Sequence, residues 1–85
     1  MGYTTIIWDL DDNPDGNVQH IAGHDLAKEE VEDVLANPES RGFSRSSGLL
    51  IAFGETATGR FIAVVFQEFN RDTAEPVTAY DVERD

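Results

Sequence analysis

No cysteine occurs in the chain, which excludes disulfide staples and thiolate metal sites and leaves any core to hold by packing alone. That absence suits a reducing compartment, and the chain reads as cytoplasmic. Positive charge is scarce as well: six Lys and Arg stand against seventeen Asp and Glu, a net charge of −11. Such a surface repels anionic lipid and nucleic acid at long range and favours a basic protein or a cation as partner. Long apolar runs are missing too. The longest, Phe61 to Phe66, is far too short to span a bilayer. Met1-Gly2-Tyr3-Thr4-Thr5 has neither the basic region nor the apolar stretch of a signal peptide, so no membrane partner is expected.

Several chemical signatures are also absent. There is no G-x-S-x-G elbow, no G-x-G-x-x-G, no P-loop, and no Ser with His and Asp at suggestive positions. Nucleophile-based catalysis and nucleotide-cradling loops therefore have no support. The 85 residues suit one domain, 1–85, which buries only roughly 60% of the surface of its unfolded chain. A groove or a flat face is easier to build at this size than a deep cavity.

What is present reads as an α+β domain. Tyr3 to Trp8, rich in Thr, Ile and aromatics, predicts a strand. Asp9 to Gly16 is a polar loop broken by Pro14 and Gly16. A first helix is expected over Asn17 to Ala22, capped by Asp15 and closed by Gly23. A second is expected over Lys28 to Ala36, with Val31, Val34 and Leu35 as its buried stripe and Ala27 as a poor N-cap. Leu26 and Val31 would form a hydrophobic staple, and Asn37-Pro38 ends the helix. Four strands follow: a polar edge strand over Arg41 to Ser47, two apolar strands over Leu49 to Phe53 and Arg60 to Glu68, and a last one over Val77 to Val82 after Pro76. The turn Glu55 to Gly59 makes the middle pair a hairpin. The expected order is β-α-α-β-β-β-β, an N-terminal strand and two helices followed by a four-stranded antiparallel meander with both helices on one face.

Phe61 to Phe66 is apolar on both alternating faces. Two short helices cover one face only. The other face then calls for a partner, a second copy of the chain, or a loop folded over it.

Four constellations could carry chemistry. Asp11, Asn13, Asp15 and Gly16 match the first half of a calcium loop, but Ala22 stands where the bidentate Glu is required, and the alternative is an acidic turn at a helix start. His20 and His24 have zinc-pair spacing, yet Gly23 falls between them and no Glu follows His20, so no metal site is expected. Arg41, Phe43 and Arg45 form the one basic-aromatic cluster of an acidic chain, either a phosphate-contacting patch for RNA or an aggregation-resistant edge. A metal-free ribonuclease needs a base, an acid and a cation at the phosphorane, and His24, Tyr80 and Arg60 have the right types.

Several segments together resemble BrnT, a toxin family of bacterial type II toxin–antitoxin systems with a RelE-like ribonuclease fold. Trp8-Asp9 looks like the family's W-D, and Asn17 through His24-Asp25-Leu26 is similar to its N-x-x-K-H-G-V. Glu29-Glu30 to Asn37-Pro38 looks like its E-E-A…F-x-D-P helix. Gly59-Arg60 with Val64-Val65-Phe66 and Glu68 fits its G-R-x-x-x-V-V-Y-x-E strand, and Val77-Thr78-Ala79-Tyr80 sits where the family has I-S-A-R. The resemblance spans almost the whole chain. It implies an mRNA-cleaving toxin without a cofactor, neutralised by a small DNA-binding antitoxin over its active face, with His24, Arg60 and the Tyr80 position as catalytic residues. The chain departs from the family where Tyr80 replaces the arginine, where Gly23 replaces the lysine before the histidine, and in lacking a basic tail. Each departure removes positive charge from the surface that would hold RNA.

Two functional expectations result. One is a BrnT-like ribonuclease in which Arg41, Arg45 and Arg60 contact phosphate and His24 and Tyr80 exchange protons. The other is a non-catalytic relative that binds protein, an antitoxin-like partner or a second copy of itself, through its apolar sheet face.

Overall fold

A computed structural model describes residues 2–45 and 48–83. It shows the α+β order expected: β1 (Thr5–Ile6), α1 (Asn17–Ala22), α2 (Lys28–Ala36), β2 (Ser40–Phe43), β3 (Leu50–Glu55), β4 (Phe61–Asn70) and β5 (Thr73–Asp81). The five strands form one sheet in the order β1-β5-β4-β3-β2. β2 to β5 are an antiparallel meander, while β1 runs parallel to β5, so the sheet as a whole is mixed.

Both helices keep the bounds that their apolar spacing implies, but their ends are built differently. Gly16, not Asp15, is the N-cap of α1 and offers no side chain. Asp15 instead donates its backbone N–H to Asn13 Oδ1. The carboxylate of Asp9 takes the N–H of Asn17 at 2.9 Å, so an acid eight residues upstream does the work of a cap. At the other end Gly23 stays right-handed, and the left-handed residue is Asp25, with φ 62°. Asp25 N–H reaches Ala22 O at 2.9 Å and Leu26 N–H reaches Ile21 O at 3.1 Å. That pair of bonds is a Schellman motif, and the accompanying contact between Ile21 and Leu26 is part of the core.

α2 begins at Ala27, where only the reciprocal half of a capping box forms: Glu30 accepts the Ala27 N–H at 3.1 Å. Val31, Val34 and Leu35 are fully buried, and Leu26 joins them in the same cluster. The helix lies close on the sheet at Gly54, where a Cβ would stand 3.3 Å from Val34.

Three strands differ most from expectation. β1 is two residues; on its N-terminal side the chain bonds to the β4–β5 turn and to α2, Thr4 N–H to Asp72 O and Tyr3 N–H to Leu35 O, and on the other side one bond to β5, Ile7 N–H to Ala74 O, follows it. β2 stops at Phe43, since Ser44 N–H bonds Leu49 O and Gly48 N–H bonds Ser44 O to close a turn. Ser46 and Ser47 of the expected edge strand lie outside the described residues. β5 starts at Thr73 and runs through Pro76. The proline fits because its backbone faces away from β4, toward α1: its carbonyl accepts Asn17 Nδ2 at 2.9 Å, so the missing N–H breaks no bond to β4.

The sheet has two unequal faces. Ala52, Ile62, Val64, Phe66, Ala74 and Ala79 lie under the helices with Tyr3, Ile21 and Leu35. Ile51, Ala63 and Val65 point the other way, flanked by partly exposed Leu49, Phe53 and Val82. No described element packs on that second face. Among the described residues no helix is long and apolar enough to cross a membrane.

Candidate functional site

Arg60, immediately before β4, is a heavily engaged cation. Its guanidinium forks onto Asp81, Nε to Oδ1 at 3.0 Å and Nη2 to Oδ2 at 2.7 Å. Nη1 also donates to the backbone carbonyl of Asp25 at 2.6 Å and lies 3.4 Å from Glu30 Oε1. One side chain thereby ties β4 to β5, to the α1–α2 turn and to α2. The β3–β4 turn adds two more ties: Ala57 N–H to Asp33 Oδ2 and Thr58 Oγ1 to Glu30 Oε2, each at 3.0 Å. The hydrogen-bonded fork holds the Asp81 carboxyl below the usual carboxylate value, with a smaller contribution from the charge of His24.

His24 is thus close to the Arg60–Asp81 pair, and its exposed ring lies 5.8 Å from that of His20. Tyr80 is elsewhere. It pairs with Ala63 across the ladder and so projects from the second face, whereas its neighbour Asp81 pairs with Ile62 on the helix side. The structure brings His24 and Arg60 together and puts the thickness of the sheet between them and Tyr80.

The basic-aromatic cluster is divided. Arg41 and Phe43 pair with Ala52 and Leu50, so both stand on the helix side of edge strand β2. Phe43 is 74% exposed, while the Arg41 guanidinium lies 5.5 Å from the centre of the Tyr3 ring. Arg45 lies in the turn beyond the strand. The acidic loop does not gather into a metal site either. Asp11 pairs with Lys28 at 3.1 Å, and among the described residues no three His, Asp or Glu side chains stand close enough to hold a metal ion.

Two features have no counterpart in the sequence reading. The first is buried Asn17. It donates to Ile7 O and Pro76 O and exchanges two bonds with Asp9, so β5, α1 and the segment after β1 meet at one amide. The second is a groove of about 1000 Å³ on the helix side, between α2 and the β4–β5 turn. Tyr3, Ile6 and Ala36 form its apolar floor and Glu32, Glu68, Asp72, Arg41 and Arg71 its rim. Tyr3 donates its hydroxyl to Glu68, and burial, reinforced by that carboxylate, pushes the phenol up to about 12. A tyrosine followed by two threonines in an extended segment reads as strand, and nothing local marks it as a groove floor.

Comparison of the chain with profiles of known protein families, with curated proteins and with solved structures finds no match among them.

Proposed function

We propose that the chain is a protein-docking module, a non-catalytic relative of the toxin family it resembles, and that its second sheet face seats a small basic, antitoxin-like partner. The observation that carries this reading is a second apolar cluster, in which partly exposed Leu49, Phe53 and Val82 pack against buried Ile51, Ala63 and Val65 with no described helix over them. Partly exposed apolar side chains grouped on one sheet face mark a protein-interaction surface. The net charge of −11 selects the partner's chemistry, because two copies of the chain would each bring that charge to their contact, whereas a basic protein would be drawn in.

Ribonuclease action is the second reading, and the nearness of His24 to Asp81 and Arg60 favours it. It requires the Arg60 guanidinium to leave its carboxylates for a phosphate, against the repulsion of an anionic surface.

Induced expression in bacteria, with total RNA and growth followed, separates the two. The docking reading predicts intact RNA and equal growth for the wild type and for His24→Ala, a change at an exposed residue that leaves the core untouched. Growth arrest with RNA cleavage, lost in His24→Ala, overturns it in favour of the ribonuclease.

A further inference from the structure

The groove on the helix side offers an apolar floor, of which Tyr3 is almost wholly buried, inside a rim of three carboxylates and two guanidiniums. Tyr3 is 3% exposed overall and packs edge-on against Phe66 at 5.1 Å, so the floor is rigid. Segment Gly2 to Ile6 runs along it, anchored at both ends by the bonds of Tyr3 to Leu35 and Ile7 to Ala74. Gly2 is required there, since a Cβ would stand 2.1 Å from Ala36 O. These contacts form the groove in the free protein, so a ligand need not order it.

We propose that this groove binds an extended peptide segment bearing arginine or lysine. Three carboxylates, Glu32, Glu68 and Asp72, face two guanidiniums, Arg41 and Arg71, so the local balance is anionic within a molecule that is anionic overall. An entering cation gains from both fields. The Arg41 guanidinium already stands over the Tyr3 ring, so what is left for a ligand is the aliphatic part of the floor and the carboxylates. The aliphatic stem of an incoming Lys or Arg would lie along Ile6 and Ala36 while its head meets Glu68 or Asp72. Arg71 makes no ion pair with a described residue and is left to donate to the carbonyls of the peptide backbone. A nucleotide would meet the opposite balance, with its phosphate drawn to Arg41 and Arg71 and three carboxylates opposing it.

This site lies on the far side of the sheet from the docking face, and its test is independent of that reading. The labelled full chain is titrated with acetyl-Ala-Arg-Leu-Lys-Ala-amide while its amide resonances are followed. Saturable shifts at Gly2, Thr4, Ala36 and Asp72 are expected. They should weaken by at least about tenfold in the Glu68→Gln, Asp72→Asn double variant, in which the hydrogen-bond geometry is kept, and persist unchanged in Val82→Asp on the opposite face. The absence of saturable shifts, equal binding of the peptide with norleucine in place of Arg and Lys, or stronger shifts of the same amides by uridine monophosphate would each overturn the proposal.

Discussion

Asp9 and Asn17 clasp each other by two reciprocal hydrogen bonds, Asp9 N–H to Asn17 Oδ1 and Asn17 N–H to Asp9 Oδ2, both 2.9 Å. The first residue of α1 is thereby fixed to the chain leaving β1. The remaining donors of the Asn17 amide close on Ile7 and Pro76, so its whole side chain is satisfied at 6% exposure. A group placed this way specifies how the first helix meets the sheet, and its loss orphans several partners at once.

Asn17→Ala should therefore destabilise the domain by about 2–4 kcal/mol, since two carbonyls and the Asp9 N–H lose their partner in or near the core. Thermal unfolding followed by circular dichroism should show a midpoint lowered by roughly 10–25 °C. A loss below about 1 kcal/mol would mean that water replaces the amide easily and that the clasp is not structural.

The helix ends carry two correctable weaknesses. Ala27→Ser supplies the acceptor that the N-cap of α2 lacks and should add about 1 kcal/mol. Asp25→Gly relieves the left-handed backbone at φ 62° and should add about 0.5–1 kcal/mol, with the Arg60 contact kept because it uses the Asp25 carbonyl. Urea denaturation measures each change, and the double variant should depart from the sum, since the two positions are two residues apart and both lean on the Glu30–Arg60 contact.

At high pH the Tyr3 phenol governs. Its folded value of about 12 lies above the ordinary 10.0, so the folded state holds the proton more tightly. The associated stability is complete below pH about 10 and is lost as pH rises through about 12. In Tyr3→Phe that segment of the stability–pH curve should flatten. An unchanged slope would contradict the buried Tyr3–Glu68 bond as its source.

At low pH the sign reverses. Asp81 is held below its ordinary value by Arg60, so its contribution is present above the unfolded carboxylate range and disappears as pH falls through the lower, folded-state value. Asp81→Asn should remove that acid-side slope while leaving the alkaline one intact. If both slopes vanish together, the substitution has loosened the fold rather than removed one titration.

The α2 stripe of Val31, Val34 and Leu35, the Gly59 turn and the apolar strands follow from periodicity and turn chemistry, and those elements stand where their patterns place them. The ends of β1, β2 and β5 were not legible, because each is set by a partner distant in sequence: Asp72 and Leu35 for the first segment, Leu49 for the turn after Phe43, Asn17 for Pro76. The same holds for the candidate site. Residue types at His24, Arg60 and Tyr80 are visible in the chain, but ladder register decides that Tyr80 and Asp81 point to opposite faces. The acidic partners that occupy Arg60 come from α2 and β5, which no local pattern reports.

The docking claim is tested most directly by site-specific photocrosslinking in the native host, with benzoylphenylalanine placed at Phe53 on the second sheet face or at exposed Glu29 on α2. The account predicts one discrete crosslinked protein from position 53, basic by its identified sequence, and none from position 29. Crosslinks to a second copy of the chain, to RNA, or equally from both positions would contradict it.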